Sequence, residues 1–176
     1  MLGETFIDTV RILGIDPGSR MTGFGIVDVT STRVSFVDCG TLKIQGDDLG
    51  DRLCQIHDGI AAVVREHRPQ EVAAEKVFVH RNPASAIKLG QARGVAIVAS
   101  VSAGLTLSEY SPNEIKQAIT GRGHADKQQI QHMVKVLLSL TQMPGTDAAD
   151  ALAVAICHAH VRETRLRLAR AAGNSR

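Results

Sequence analysis

A chain of 176 residues, 44% hydrophobic and 22% charged, has the size and composition of one globular domain and is not an intrinsically disordered protein. Its net charge of +2 is too small to indicate nucleic-acid binding by itself. No apolar run is long enough to cross a bilayer and no secretory signal opens the chain, so we expect no membrane partner.

The cysteines indicate a reducing compartment. Cys39, Cys54 and Cys157 are far apart, odd in number and without the spacing of a zinc site. Free thiols and the missing secretory signal together predict a cytoplasmic protein.

The first predicted strand ends in an acid. The run from Arg11 to Asp16 is apolar until Asp16, and Pro17-Gly18 then stops it, which is typical of a central strand buried on both faces. Asp16 either caps the turn or belongs to a functional site, and this stretch alone favours neither interpretation.

Two more strands are predicted to follow, over Thr22–Val29 and Val34–Ile44. The turns between these strands are short, so the first three strands form an antiparallel meander. Gly23 and Gly25 leave room for another element to approach the sheet closely.

A crossover is predicted to bring a second acid next to the first. A helix from Asp47 to about His67 precedes a short strand, Glu71–Glu75. A strand–helix–strand crossover makes this strand parallel to the first. Asp16 and Glu75 then lie at the same end of neighbouring strands, where open sheets bind their ligands.

The rest of the chain is predicted to add a fifth strand and four helices. The helix from Ala84 to about Ser102 is rich in small residues, which indicates packing on the sheet or a subunit interface. The other elements are the strand Leu105–Tyr110 and helices from Pro112 through Ile119, from Asp126 through Leu138 and from Asp147 to about His160. We expect residues 1–10 to be a flexible extension, 11–161 one domain, and 162–176 a basic, disordered tail.

Two further acids begin the last helix. Asp147 and Asp150 are three residues apart and share one helix face. Pairing with the helix dipole would explain them. However, the helix is apolar nearly all round, so we expect it to be buried, where two acids need a cation.

If this helix packs beside the first strand, four carboxylates converge, and only divalent metal can neutralise them. They are Asp16, Glu75, Asp147 and Asp150. Carboxylate oxygens select Mg²⁺ or Mn²⁺, and two such ions about 4 Å apart support in-line phosphodiester hydrolysis. A glycosidase would need only two acids and an aromatic sugar cleft, and this chain has no Trp and one Tyr.

An aromatic residue among cations follows the second acid. Phe78 lies between Lys76 and Arg81, in a stretch that also contains Lys88 and no acid. Phe78 either extends the strand into the core or stacks on an unpaired base while the cations contact phosphates. Its position next to Glu75 favours stacking.

Two lysines flank the glycine-rich loop that begins at Gly121. Lys116 and Lys127 are either ordinary surface charges or phosphate contacts. Lys127 begins a helix, where a cation opposes the dipole, and a nearby phosphate would explain its presence.

These stretches together resemble the RuvC-type Holliday junction resolvases. The matching motifs are collinear and cover most of residues 11–161, which makes the match specific. They are Ile12–Arg20, Glu75–Phe78, Ser85–Gly94, Gln131–Val134 and Asp147–Ala153.

The resemblance implies an α/β, RNase H-like fold with a five-stranded mixed sheet flanked by helices, and a homodimer. It implies paired nicks in opposing strands of a four-way DNA junction, with two Mg²⁺ or Mn²⁺ ions per active site, in cooperation with the RuvA and RuvB branch-migration proteins. The metal ligands would be Asp16, Glu75, Asp147 and Asp150, with Phe78 inserting into the junction and Lys116 and Lys127 contacting DNA.

Two alternative functions stay open. Actin-like ATPases and kinases share the first motif, but they need a second lobe for which this chain has no room. A non-catalytic junction-binding protein would not need four converging acids.

Overall fold

The computed structural model describes residues 9–31, 33–77, 83–123 and 125–173. The predicted strands and helices are all present, with their ends within about two residues of the prediction except at the end of the last helix. They are β1 (Val10–Asp16), β2 (Met21–Val29), β3 (Val34–Lys43), α1 (Leu49–His67), β4 (Glu71–Glu75), α2 (Pro83–Val101), β5 (Thr106–Tyr110), α3 (Pro112–Thr120), α4 (Lys127–Leu137) and α5 (Thr146–Gly173).

The strands form one mixed sheet in the order β3-β2-β1-β4-β5. The first three strands pair antiparallel, whereas β4 pairs parallel to both β1 and β5. The predicted meander and crossover are therefore confirmed. β1 lies at the centre, and its side chains alternate between two cores: Ile12 contacts the core on the side of α3, α4 and α5, while Leu13 and Ile15 belong to the core beneath α1 and α2.

α5 lies unusually close to the sheet because glycines face it. A Cβ atom at Gly14 would collide with the carbonyl oxygen of Ala151, and one at Gly23 would collide with that of Asp147. Gly23 is also the antiparallel partner of Asp16. The absence of these two side chains therefore brings the first turn of α5 next to the end of β1.

Gly23→Ala is expected to destabilise the protein by about 1–3 kcal/mol, because the new methyl group overpacks the contact between β2 and α5. Urea unfolding followed by circular dichroism measures the change. Gly123→Ala, in the loop between α3 and α4, is the matched control, because a Cβ atom there meets open space, and its effect should stay within about 0.5 kcal/mol. Equal effects in the two variants would contradict this account of the close approach.

A buried polar chain fixes α5 further along the sheet. The Tyr110 hydroxyl lies 2.6 Å from His158 Nδ1, and His158 Nε2 lies 2.5 Å from Glu71 Oε2. Arg162 Nε donates to the other Glu71 oxygen at 3.0 Å. Burial lowers the pKa of His158, which favours the neutral ring that accepts from Tyr110 and donates to Glu71. Burial raises the pKa of Glu71, but the bonds from Arg162 and His158 outweigh it and leave this pKa lowered. These side-chain hydrogen bonds thus hold the register of α5 on β4 and β5.

The predicted end of the last helix near His160 is wrong. α5 continues to Gly173, so residues 162–173 are helical rather than a disordered tail. Arg162 bonds to Glu71, and Arg167 Nε donates to Glu163 at 2.9 Å one turn away. The start of the chain departs less from expectation: Val10 already belongs to β1, and the rest of the predicted extension up to residue 8 lies outside the described residues.

No helix within the described ranges has the length and apolar character needed to cross a membrane.

Candidate active site

Four acids lie at the end of the sheet where the parallel strands finish. Asp16 and Glu75 are the last residues of the neighbouring strands β1 and β4, and both are partly buried. Asp147 and Asp150 lie at the start of α5, which Gly23 allows to approach this edge. The apolar residues of that helix, Ala148, Ala149 and those from Ala151 to Cys157, are buried, as the sequence predicted.

The carboxylates share one electrostatic environment. Burial raises the pKa of Asp16 to about 7, and the charges of Asp150, Glu75 and Asp147 raise it too. Burial also raises the pKa of Glu75, with a further contribution from Asp150. Both shifts arise mainly because burial disfavours the charged carboxylates, and in addition because several anions are held together without enough compensating positive charge.

Lys127 supplies part of that compensation. Its Nζ donates to Asp150 Oδ2 at 3.2 Å, and its charge opposes the raised pKa values of Asp16 and Glu75. The lysine side chain is 79% exposed, whereas that of Asp150 is 26% exposed. The partner that explains a cation at the start of α4 in this structure is therefore Asp150, and a phosphate is not required.

The donor chemistry of the site fits a hard divalent cation, since carboxylate oxygens are the ligands that Mg²⁺ and Mn²⁺ prefer. As positioned, however, no three His, Cys, Asp or Glu side chains among the described residues are close enough together to hold a metal ion. The acids can still raise one another's pKa at this separation, because charge interactions act over much longer distances than the roughly 2 Å of a coordination bond.

Two adjoining cavities open on Asp16 and Glu75. The larger, of about 580 Å³, also contains Asp150 and the two lysines Lys116 and Lys127, and α3, α4 and α5 form its walls. The smaller, of about 260 Å³, is lined by Asp16 and Glu75 together with Lys76, Val77 and Leu89. The acids are thus bordered by cations on both sides, an arrangement suited to a polyanion that approaches a metal site.

The structure does not bring every predicted residue to these cavities. Lys88 lines a separate small cavity near Ser19 and Arg52. Phe78 and Arg81 lie outside the described residues.

Two residues at the site were not predicted. Asp126, which the sequence indicated only as the start of a helix, lines the larger cavity. Arg93 Nε donates to the backbone carbonyl of Glu75 at 2.9 Å. Helical periodicity carries no signal for this contact.

A mixed sheet in this order, with acids at the ends of its two central strands and on the last helix, defines a nuclease of the RNase H-like class. The family model described as "Crossover junction endodeoxyribonuclease RuvC" matches residues 12–158. The chain belongs to the RuvC family of crossover junction endodeoxyribonucleases.

Named relatives support this family assignment over almost the whole chain. The chain is 51% identical to a RuvC from Tolumonas auensis, over 90% of this chain and 91% of that protein. It is 55% identical to one from Dichelobacter nodosus, over 88% of each.

Solved structures support the assignment as well. The chain matches "T. thermophilus RuvC in complex with Holliday junction substrate" with a TM-score of 0.82 and 33% identity, over 89% of this chain and 96% of that one. The yeast mitochondrial Holliday junction resolvase Ydc2 matches with a TM-score of 0.60 and 13% identity, over 93% of this chain and 84% of that one, and therefore shares the fold.

Proposed function

We propose that this protein is a metal-dependent endonuclease that resolves four-way DNA junctions by hydrolysing a phosphodiester bond in each of two opposing strands. The observation that carries the proposal is the group of acids Asp16, Glu75 and Asp150, which line one cavity with Lys116 and Lys127, in a chain whose named relatives are crossover junction endodeoxyribonucleases. Asp147 lines neither of the two cavities, and its charge contributes to the raised pKa of Asp16. One of the solved relatives is in complex with a Holliday junction.

The residues that would hold the metal are Asp16, Glu75, Asp147 and Asp150, with two Mg²⁺ ions, or Mn²⁺, per active site. Such ions, when bound, lower the pKa of an attacking water and stabilise charge on the leaving oxygen. Asp150 must then exchange Lys127 for the metal. The exposed Lys127 side chain is free to turn toward a phosphate, and Lys116 faces the same cavity.

Further DNA contacts are proposed along the second cavity. Lys76 lines it beside Asp16 and Glu75, and Arg81 follows in the same stretch of chain. Lys88 lines neither cavity but a separate one with Ser19 and Arg52, so a contact there would be to a different part of the DNA.

A synthetic mobile junction, incubated with and without Mg²⁺, tests the function directly. We expect two symmetric nicks in opposing strands, mapped on a sequencing gel, only when metal is present. Binding without nicking would instead indicate a non-catalytic junction-binding protein, and ATP hydrolysis by the purified protein would favour the actin-like alternative.

Phe78→Ala is expected to lower the cleavage rate about 10-fold or more while junction binding changes little, because the stacking on an unpaired base, worth about 1–3 kcal/mol, would form only as the junction opens for cleavage. Cleavage with saturating protein separates turnover from binding. A parallel melting curve supplies the control: a large loss of stability with normal cleavage would place Phe78 in the core instead.

We also propose a homodimer, because two symmetric cuts need two active sites related by a two-fold axis. The exposed face of α2 supports this proposal. Its residues recur every three or four positions and are Ile87, Gly90, Gly94, Val98 and Val101. Ile87 and Val98 are 62% and 52% exposed, and a Cβ atom at Gly90 or Gly94 would meet open space, so a second helix could approach the backbone closely.

Sedimentation equilibrium of Gly94→Glu tests the interface. We expect a monomer, whereas Val136→Glu, at a 53% exposed position on α4, should remain dimeric. A dimeric Gly94→Glu would exclude this face.

Cooperation with RuvA and RuvB is proposed from the family resemblance. A cytoplasmic location is proposed because the substrate would be chromosomal DNA and the three cysteines are free.

A further inference from the structure

The backbone carbonyl of Glu75 has lost its partner within the sheet. Hydrogen bonds along a parallel strand alternate between its two neighbours. The Lys76 amide donates to the Tyr110 carbonyl on β5 at 2.7 Å, so the Glu75 carbonyl belongs to the side of β1. Ile15 pairs with Ala74, and continuing this register makes residue 17 the donor to Glu75. Residue 17 is a proline, which has no amide hydrogen.

Arg93 of α2 supplies the missing donor. Its Nε bonds to the Glu75 carbonyl at 2.9 Å, and its Nη2 forms an ion pair with Glu109 of β5. The arginine side chain is only 17% exposed. A guanidinium is planar and presents its donors in a fixed fork, so the ion pair to Glu109 also fixes the direction of the bond to Glu75.

We infer that Arg93 is a positioning residue that holds the end of β4 so that the Glu75 carboxylate faces the shared cavity. The inference rests on the proposed function, in which Glu75 is a metal ligand. Glu75 is the last residue of its strand, and the carboxylates of Asp16 and Asp150 line the same cavity. Without a bond to its carbonyl, this residue would turn away from the other acids and relieve the repulsion between them.

Three variants test the positioning role against simple packing. Arg93→Met keeps the length of the side chain and removes both bonds, whereas Arg93→Lys keeps one charged donor but loses the fork. Arg167→Met removes an exposed arginine that pairs with Glu163 within α5, and it serves as the matched control. Each variant is measured for junction affinity in EDTA, for the rise in melting temperature with Mg²⁺, and for the Mg²⁺ dependence of cleavage.

Arg93→Met is expected to raise the Mg²⁺ concentration for half-maximal stabilisation and for half-maximal cleavage by about 10- to 100-fold, the usual effect of losing a partner that orients a metal ligand. Junction affinity in EDTA should change less than about twofold, because Arg93 lies in neither cavity lining. Arg93→Lys should fall between wild type and Arg93→Met, and Arg167→Met should match wild type. If Arg93→Met folds poorly, Glu109→Gln provides a milder test, because it weakens the ion pair that orients the guanidinium. It is expected to raise the Mg²⁺ concentration for half-maximal effect by about 3- to 10-fold.

Rescue by a second substitution gives the sharpest outcome. Pro17→Ala restores an amide donor opposite Glu75. The double variant Pro17→Ala/Arg93→Met should therefore recover part of the Mg²⁺ affinity that Arg93→Met loses, with the single variant Pro17→Ala completing the comparison. Arg93→Met with a lowered melting temperature and an unchanged Mg²⁺ dependence would overturn the inference and leave Arg93 a packing residue.

One measurement separates this inference from the proposed function. Loss of the Arg93 bond should speed hydrogen exchange at the Lys76 amide, because the end of β4 then frays, whether or not the protein cleaves DNA. If wild-type protein shows no response to Mg²⁺, the proposed function fails and the exchange rates alone decide the positioning role. Unchanged exchange in Arg93→Met overturns it.

Discussion

Replacing Asp16 with asparagine is expected to abolish junction cleavage while leaving junction binding intact. Asp16 ends the central strand, opens on both cavities and lies within the field of the three other acids. Asn keeps the shape but loses the charge that holds a divalent cation. Losing several kcal/mol of transition-state stabilisation from the metal lowers the rate by about 10³-fold or more.

Single-turnover cleavage of a labelled junction in Mg²⁺ measures the loss, and gel mobility in EDTA measures binding. Asp58→Asn is the matched control, because this 79% exposed aspartate of α1 contacts only its neighbour His57 among the ion pairs described. Cleavage by Asp16→Asn at the rate of the control would remove Asp16 from the metal site. Loss of binding in EDTA would instead show that Asp16 supports the fold of the DNA surface.

The positions of the first two acids followed from local sequence rules. The apolar run that ends at Asp16 and the crossover to Glu75 depend only on strand pattern and on how parallel strands must be connected. Gly23 then indicated a close approach to the sheet, and α5 makes that approach. These features are predictable because the strand pattern and the glycine that indicate them can each be read from a short segment of sequence.

The end of α5 was missed although its sequence contains the signal. Residues 162–173 are rich in Arg, Leu and Ala, which favour helix, and contain no Pro or Gly before Gly173. Their polarity indicates an exposed tail, but their helix propensity prevails in the structure. Arg162 reaches back to Glu71, and this tertiary bond helps the helix to continue.

Side-chain contacts between distant elements were not predictable. Lys127 meets Asp150 and Arg93 meets Glu75 only because α4, α2 and the sheet pack at particular distances. No periodicity in the sequence encodes the reach of a lysine or the direction of a guanidinium. The same reason explains why the sequence predicts four converging acids but not the distances between their side chains.

The same Asp16→Asn substitution is expected to stabilise the metal-free protein at pH 8. The pKa of Asp16 is about 7 in the fold against a usual value of 3.8. A raised pKa means that the fold favours the protonated acid: its contribution to stability is complete below pH 3.8, declines as the pH rises, and is lost above pH 7. At pH 8 the charge therefore costs about 2–4 kcal/mol, at 1.36 kcal/mol per pKa unit, and asparagine removes that cost.

Thermal melting in EDTA measures this gain, which should raise the melting temperature by about 4–16 °C at pH 8 and should shrink as the pH falls toward 4. Asp58→Asn should show neither the gain nor its pH dependence. Lys127→Met should act in the opposite direction, because Lys127 opposes the repulsion at Asp16.

Added Mg²⁺ should stabilise wild type by mass action and Asp16→Asn much less, so the two melting curves should approach each other as Mg²⁺ rises. If Asp16→Asn melts at the same temperature as wild type in EDTA at pH 8, then burial and the neighbouring acids do not destabilise the Asp16 charge. A stabilised variant that cannot cleave would show that this site keeps its charge for metal binding at the expense of the metal-free fold.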